Sequence, residues 1–194
     1  MRSRNVTIWV MMLICLSGMC KTTMVEWSID DGGNGHFYEA VLATDGIDWE
    51  SANVAEIEAG GYLATLTSAA ENAFAFDLVK DDINFWHGVP NSHNPSFIYW
   101  EGPWLGGVRE PDGTWGWVTG EPFIYTNWAP GEPTDVPAAD RLAFFGYGSI
   151  ANPEWNDDKH GESSYKGYIV EYIPEPTTFL LLGLGAVMVK RSRK

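Results

Sequence analysis

Cysteine is all but missing from this chain. The 194 residues include two, Cys15 and Cys20, and both fall in or beside the first apolar run, so the remainder forms neither a disulfide nor a cysteine-ligated metal centre. Basic residues are scarce as well. Of twelve Lys and Arg, seven sit at the two ends (Arg2, Arg4, Lys21, Lys190, Arg191, Arg193 and Lys194), leaving five against twenty-five acidic residues in between. A body with a net charge of −20 repels phosphate backbones, which excludes nucleic acid and makes divalent cations suitable partners. Neither apolar run, Val6 to Leu16 or Phe179 to Val189, reaches the roughly 20 residues of a bilayer-spanning helix. There is no nucleophile elbow, phosphate-binding loop or dinucleotide fingerprint. His36, His87, His93 and His160 lack zinc spacing, and the neighbours Asp157 and Asp158 are poorly placed to converge on one glycosidic bond. The chain reads as a non-enzyme.

What is present begins at the ends. Met1-Arg2-Ser3-Arg4 is a basic head before an apolar stretch and the small Ser17-Gly18, the pattern of a secretory signal peptide. The cut is expected between Gly18 and Val25, giving a signal of 1–24. Met19 is large where lipoprotein processing takes Gly or Ala, which argues against lipid on Cys20. The other end reads Pro174-Glu175-Pro176, a short Leu/Gly-rich stretch, then Lys190-Arg191-Ser192-Arg193-Lys194, a basic tail that the positive-inside rule holds cytoplasmic. Residues 174–194 resemble the PEP-CTERM sorting tag. That resemblance implies export, recognition and removal of the tail by exosortase-type machinery, transient membrane anchoring, and delivery to the cell surface or extracellular matrix.

Residues 25–173 contain no linker or repeat. Apolar and polar residues alternate from Gly35 to Val41, predicting a first strand. Asp45 or Asp48 caps a helix from Trp49 to Ala59 that Gly60-Gly61 stops, and Thr67 or Ser68 caps a second helix reaching about Val79, with Ala70, Phe74 and Leu78 on one face. Tyr62 to Leu66, Asn84-Phe85-Trp86, Tyr99-Trp100 onward, Trp104-Leu105-Gly106, Trp115 to Val118 and Gly167 to Tyr172 read as strands or extended segments. Trp115 and Trp117, two apart, share a face read as buried; Trp128 and Trp155 read as core. Two early helices, late strands and long irregular loops predict an α+β domain, and loops of that length are usually functional or ligand-held.

The body resembles the C-type lectin-like domain. The resemblance rests on an ordered set: Trp49-Glu50-Ser51-Ala52, Gly61-Tyr62-Leu63-Ala64-Thr65-Leu66, Glu71-Asn72-Ala73-Phe74, Trp104-Leu105-Gly106-Gly107, Asn127-Trp128 ahead of Glu132-Pro133, Trp155-Asn156-Asp157 and Gly167-Tyr168-Ile169-Val170-Glu171. It implies two helices flanking small antiparallel sheets with a long loop region. It also implies a calcium site at Glu132, Asp140, Asn156 and Asp157, and a cis peptide before Pro133. Hard oxygen ligands of this kind suit calcium, which takes 6–8 of them, and the same groups can exchange hydrogen bonds with sugar hydroxyls. Carbohydrate contact is therefore expected at Glu132, Thr134, Asp140, Asn156 and Asp157.

This sequence departs from the family at Thr134, where mannose-type members have Asn, and at Leu142 and Val170, where Cys is usual. The resemblance also implies an accessory calcium site at Asp112 and Asp135 with Asp140, although Val108 and Arg141 replace acids expected there. The function implied is an exported, calcium-dependent lectin for a polysaccharide or glycoconjugate. The alternative is a calcium-independent adhesion or structural matrix module on the same fold.

Overall fold

The structure is a computed structural model and describes residues 19–21, 23–134, 136–147 and 151–174. Among the described residues the first secondary structure is two short strands, β1 (Met19–Lys21) and β2 (Val25–Glu26), both paired antiparallel to β3 (Phe37–Ala43). Helix α1 (Trp49–Ala59) begins as expected at Asp48, whose carboxylate accepts the Ser51 N–H at 2.8 Å. It ends on Gly60, whose φ of 84° is left-handed backbone that glycine adopts without a Cβ clash. β4 (Tyr62–Leu63) precedes α2 (Ala69–Asp77), capped by Ser68.

The buried face of α2 is not the one the apolar spacing predicts. Ala70 is exposed, while Glu71, Asn72 and Ala75 are buried. Glu71 tolerates burial because Tyr38 Oη donates to it at 2.6 Å and the Thr67 N–H and hydroxyl each donate at 2.7 Å. Phe74 and Leu78 pack at the margin of the same core.

Residues Ile83–Phe85 form a 3₁₀ turn where an extended segment is expected, capped by Asp82. β5 (His87–Pro90) and β6 (Ile98–Arg109) then make a hairpin, and β7 (Trp115–Trp117) flanks the far half of β6. β8 (Ala139–Tyr147), β9 (Glu154–Lys159) and β10 (Gly167–Tyr172) complete the described strands. The strand order is β1-β3-β10-β6-β8-β9, with β10 and β6 parallel at Tyr168 and Trp104. The α+β expectation holds.

One core cluster lies under α2 and includes Tyr38, Leu66, Leu105, Phe144 and Trp155. A second lies under α1 and includes Trp49, Leu63, Trp104 and Tyr165, with the Trp104 and Tyr165 rings stacked at 3.6 Å. Trp117 is buried and Trp115 half-buried, stacked with Phe123 and tilted against Trp128. Leu142 and Val170 are both fully buried, so apolar packing worth about 1.5–3 kcal/mol for each side chain occupies the cysteine positions.

Candidate functional site

Four strands side by side, β5-β6-β8-β9, build one wall of a cleft of about 460 Å³. Because alternate residues of a strand share a face, Tyr99 and Glu101 on β6 point the same way, as do Phe145 and Tyr147 on β8. Pairing sets them in rows: Val89, Tyr99 and Tyr147 in one, Glu101 and Phe145 in the next. Asn156 stands at the β9 edge of this wall, and Pro130 and Glu132 from the loop before β8 complete the lining.

The sequence-predicted residues divide three ways. Glu132 and Asn156 line this cleft. Asp157 lies against Glu132 but is buried, and Thr134 holds it, donating its N–H to Oδ1 at 2.8 Å and its hydroxyl to Oδ2 at 2.9 Å. The Glu132–Pro133 peptide is cis, as the resemblance implies. Asp140 faces elsewhere. Its carboxylate contacts His160 Nδ1 and Arg141 at 3.2 Å, and it does not line the cleft. Asp112 is exposed and accepts the N–H and hydroxyl of Thr114 within its own turn; Asp135 lies outside the described residues. Among the described residues no group of three or more His, Cys, Asp or Glu side chains is arranged to hold a metal.

The electrostatics are those of an acidic recess short of cations. Burial, then the Asp157 and Asp158 carboxylates, push Glu132 up to about 7, because each disfavours its charged form. Glu132 Oε2 is buried and has no hydrogen-bond partner. Burial likewise pushes Glu101 up to about 7, against the lowering effect of Ser164, whose hydroxyl donates to Oε2 at 2.9 Å. Asp158 is raised by burial and accepts from Tyr165 Oη at 3.1 Å.

Calcium meets a partial match here. Glu132, Asn156 and Asp157 offer hard oxygens in one acidic recess, and the unpartnered Glu132 Oε2 suits a cation. The fourth expected ligand, Asp140, is engaged by His160 and Arg141.

Glu101 was not among the residues the sequence singled out. It belongs to no motif, and only the pairing of β6 with β8 brings it opposite Phe145.

Comparison with known proteins settles the fold. The chain matches the cow C-type carbohydrate-recognition domain of CD23, determined in the presence of GlcNAc2Man3 oligosaccharide, with a TM-score of 0.57 and 18% identity, covering 84% of this chain and 98% of that one. The body has the C-type lectin-like fold. The same lectin-like fold matches a calcium-independent type II antifreeze protein, with a TM-score of 0.53 and 20% identity over 83% of this chain and 95% of that one. Halomucin of Haloquadratum walsbyi is 30% identical over 170 residues, 76% of this chain. The chain spans 2% of halomucin's length and between 29% and 55% of three other curated relatives.

Beyond the lectin-like body, residues 173–194 match the PEP-CTERM protein-sorting motif, which marks the chain for export and sorting to the cell surface. Most of that tail, and of the expected signal peptide at 1–24, lies outside the described residues. Among the described residues no helix is long and apolar enough to cross a membrane.

Proposed function

We propose that this chain is an exported surface or matrix protein, running from a signal peptide at 1–24, whose Met19–Lys21 pairs with β3 in the unprocessed chain, through a lectin-like body at 25–173 to a sorting segment at 174–194. Its body binds a polysaccharide or glycoconjugate at the cleft, with calcium held by Glu132, Asn156 and Asp157. One observation carries the reading: Glu132 presents a buried, unpartnered carboxylate oxygen in a recess it shares with Asn156. Calcium there supplies a fixed positive charge that attracts hydroxyl oxygens. Glu132 is suited to accept a sugar hydroxyl, and Asn156 can both accept and donate. Asp140 joins the ligands only by exchanging its contacts with His160 and Arg141. Thr134 commits its donors to Asp157 and acts by positioning that carboxylate. The PEP-CTERM match supports processing by exosortase-type machinery, with the tail as a transient membrane anchor.

A second reading has its own support. Thr134 satisfies both oxygens of Asp157 without any metal, and one solved lectin-like structure similar to this chain is described as calcium-independent. Calcium-independent binding, to a glycan or to a protein of the matrix, follows on that reading. Calorimetry with calcium and a glycan array run with and without chelator separate the two. Heat on calcium addition and array signals that chelator erases support the cation-dependent lectin. Chelator-insensitive binding, with Asp157→Ala matching wild type, overturns it in favour of the second.

A further inference from the structure

Tyr99 and Tyr147 stand on one sheet face beside two carboxylates, and nothing in the calcium reading uses them. Their ring centroids are 5.7 Å apart, Phe97 leans on both at 5.2 and 5.1 Å, and Phe145 stacks beneath Tyr99 at 5.7 Å. The Asn91 side-chain amide donates to Tyr99 Oη, fixing that ring in place. Tyr147 is 46% exposed although it is large and aromatic. The cluster therefore offers an exposed Tyr147 ring beside a half-buried Tyr99, the two inclined at 45° to each other. Beside it, Glu101 lines the cleft with its Oε2 held by Ser164, so the cleft combines ring faces with a carboxylate that can accept from a hydroxyl.

We propose that Tyr99 and Tyr147 form a stacking subsite for a neutral pyranose in an extended saccharide, with Glu101 accepting one of its hydroxyls. The proposal rests on the reading that the Glu132–Asn156 end of the cleft binds a sugar, and extends that site along β8. Asn156 pairs with Ala143, four residues before Tyr147. At strand rise that separation is about 13 Å, longer than one sugar ring, so the cleft addresses an oligomer and not a single residue. The faces of pyranose rings carry C–H groups that pack on aromatic rings, as apolar surface does generally. The −20 charge of the body disfavours uronic acids relative to neutral sugars.

The test uses the purified exported protein, with glucose and mannose, their linear oligomers of two to six units, and the corresponding glucuronate oligomers. Calorimetry is run with calcium and with chelator on wild type, Tyr147→Ala and Tyr147→Phe, and far-ultraviolet circular dichroism confirms folding. Wild type is expected to bind the neutral hexamers about tenfold more tightly than the monomers and to ignore the glucuronates. Tyr147→Ala erases the gain with length, while Tyr147→Phe retains it. Loss of length dependence in Tyr147→Ala with binding that chelator does not affect leaves the stacking subsite standing and removes calcium. Chelator-sensitive binding with Tyr147→Ala equal to wild type overturns the subsite alone. Failure of every neutral oligomer to bind overturns both.

Discussion

The Trp155 indole N–H donates to Asn72 Oδ1 at 2.7 Å, joining α2 to the strand that carries Asn156 and Asp157. The same amide donates from Nδ2 to the Pro153 carbonyl at 3.0 Å, and Asn127 donates to that carbonyl at 2.7 Å. A helix on one side of the core thus sets the height and tilt of a strand in the cleft.

Replacing Asn72 by Ala leaves the buried Trp155 N–H without a partner. An unsatisfied buried donor costs about 1–3 kcal/mol, so N72A is expected to melt several degrees below wild type, about 2–4 °C for each kcal/mol. Thermal unfolding followed by tryptophan fluorescence measures it. An unchanged midpoint removes this link between helix and site.

Glu101 makes stability depend on pH. Its folded pKa, pushed up to about 7, stands above the ordinary 4.5, so between those values the folded state holds a proton that the unfolded chain has lost. Its contribution therefore becomes less favourable as pH rises from about 4.5 to 7 and is constant above. E101Q removes this effect. At about pH 8 the variant is expected to be more stable than wild type by about 1–2 kcal/mol after allowance for solvent screening, and at about pH 4 to be close to it. Urea titrations at the two pH values decide the matter.

Glu132 tests the cation. E132Q relieves crowding against Asp157 and Asp158, so the calcium-free variant is expected to melt at or above wild type near neutral pH. In millimolar calcium the order reverses, because wild type gains stability by binding and E132Q does not. Since the carboxylate must be ionised to bind, the wild-type gain is larger at about pH 8 than at about pH 5.5. Scanning calorimetry in which both proteins respond alike to calcium counts against Glu132 as a ligand.

Two glycines separate close packing from open space. A Cβ on Gly106, whose N–H donates to the Ala64 carbonyl, would lie 2.3 Å from the Leu63 carbonyl oxygen, whereas one on Gly116 would meet only Glu110 Oε1, at 3.9 Å. G106A is expected to cost about 3 kcal/mol or to prevent folding, as overpacked backbone contacts do. G116A is expected to lie within about 0.5 kcal/mol of wild type. Denaturant midpoints compare them, and similar values would show that β6 moves freely away from Leu63.

Local signals made α1 legible to the residue, since Asp48 and Gly60 act on their own neighbours. The strands β8 and β9 escaped notice because their pattern is not local. Glu154–Lys159 carries four charged residues and becomes a strand only by pairing with β8. The buried face of α2 departs from its apolar spacing for a related reason: Glu71 and Asn72 are held by partners 33 and more residues away, among them Tyr38, Pro153 and Trp155. The ordered resemblance points to Glu132, Asn156 and Asp157, of which Glu132 and Asn156 line the cleft, but that order cannot foresee that His160 and Arg141 engage Asp140. Tyr99 and Tyr147 were out of reach altogether, since an aromatic on a strand reads as core until its sheet face is known.

The parallel pairing of β6 with β10 gives the molecule an orientation. Tyr99 and Glu101 lie toward the start of β6, before Trp104, and the chain leaves β10 at Tyr172, past Tyr168, the residue that Trp104 faces. The last described strand therefore finishes at the end of the sheet opposite the aromatic rings, so a fusion or a surface attachment made after Tyr172 leaves the recess unobstructed.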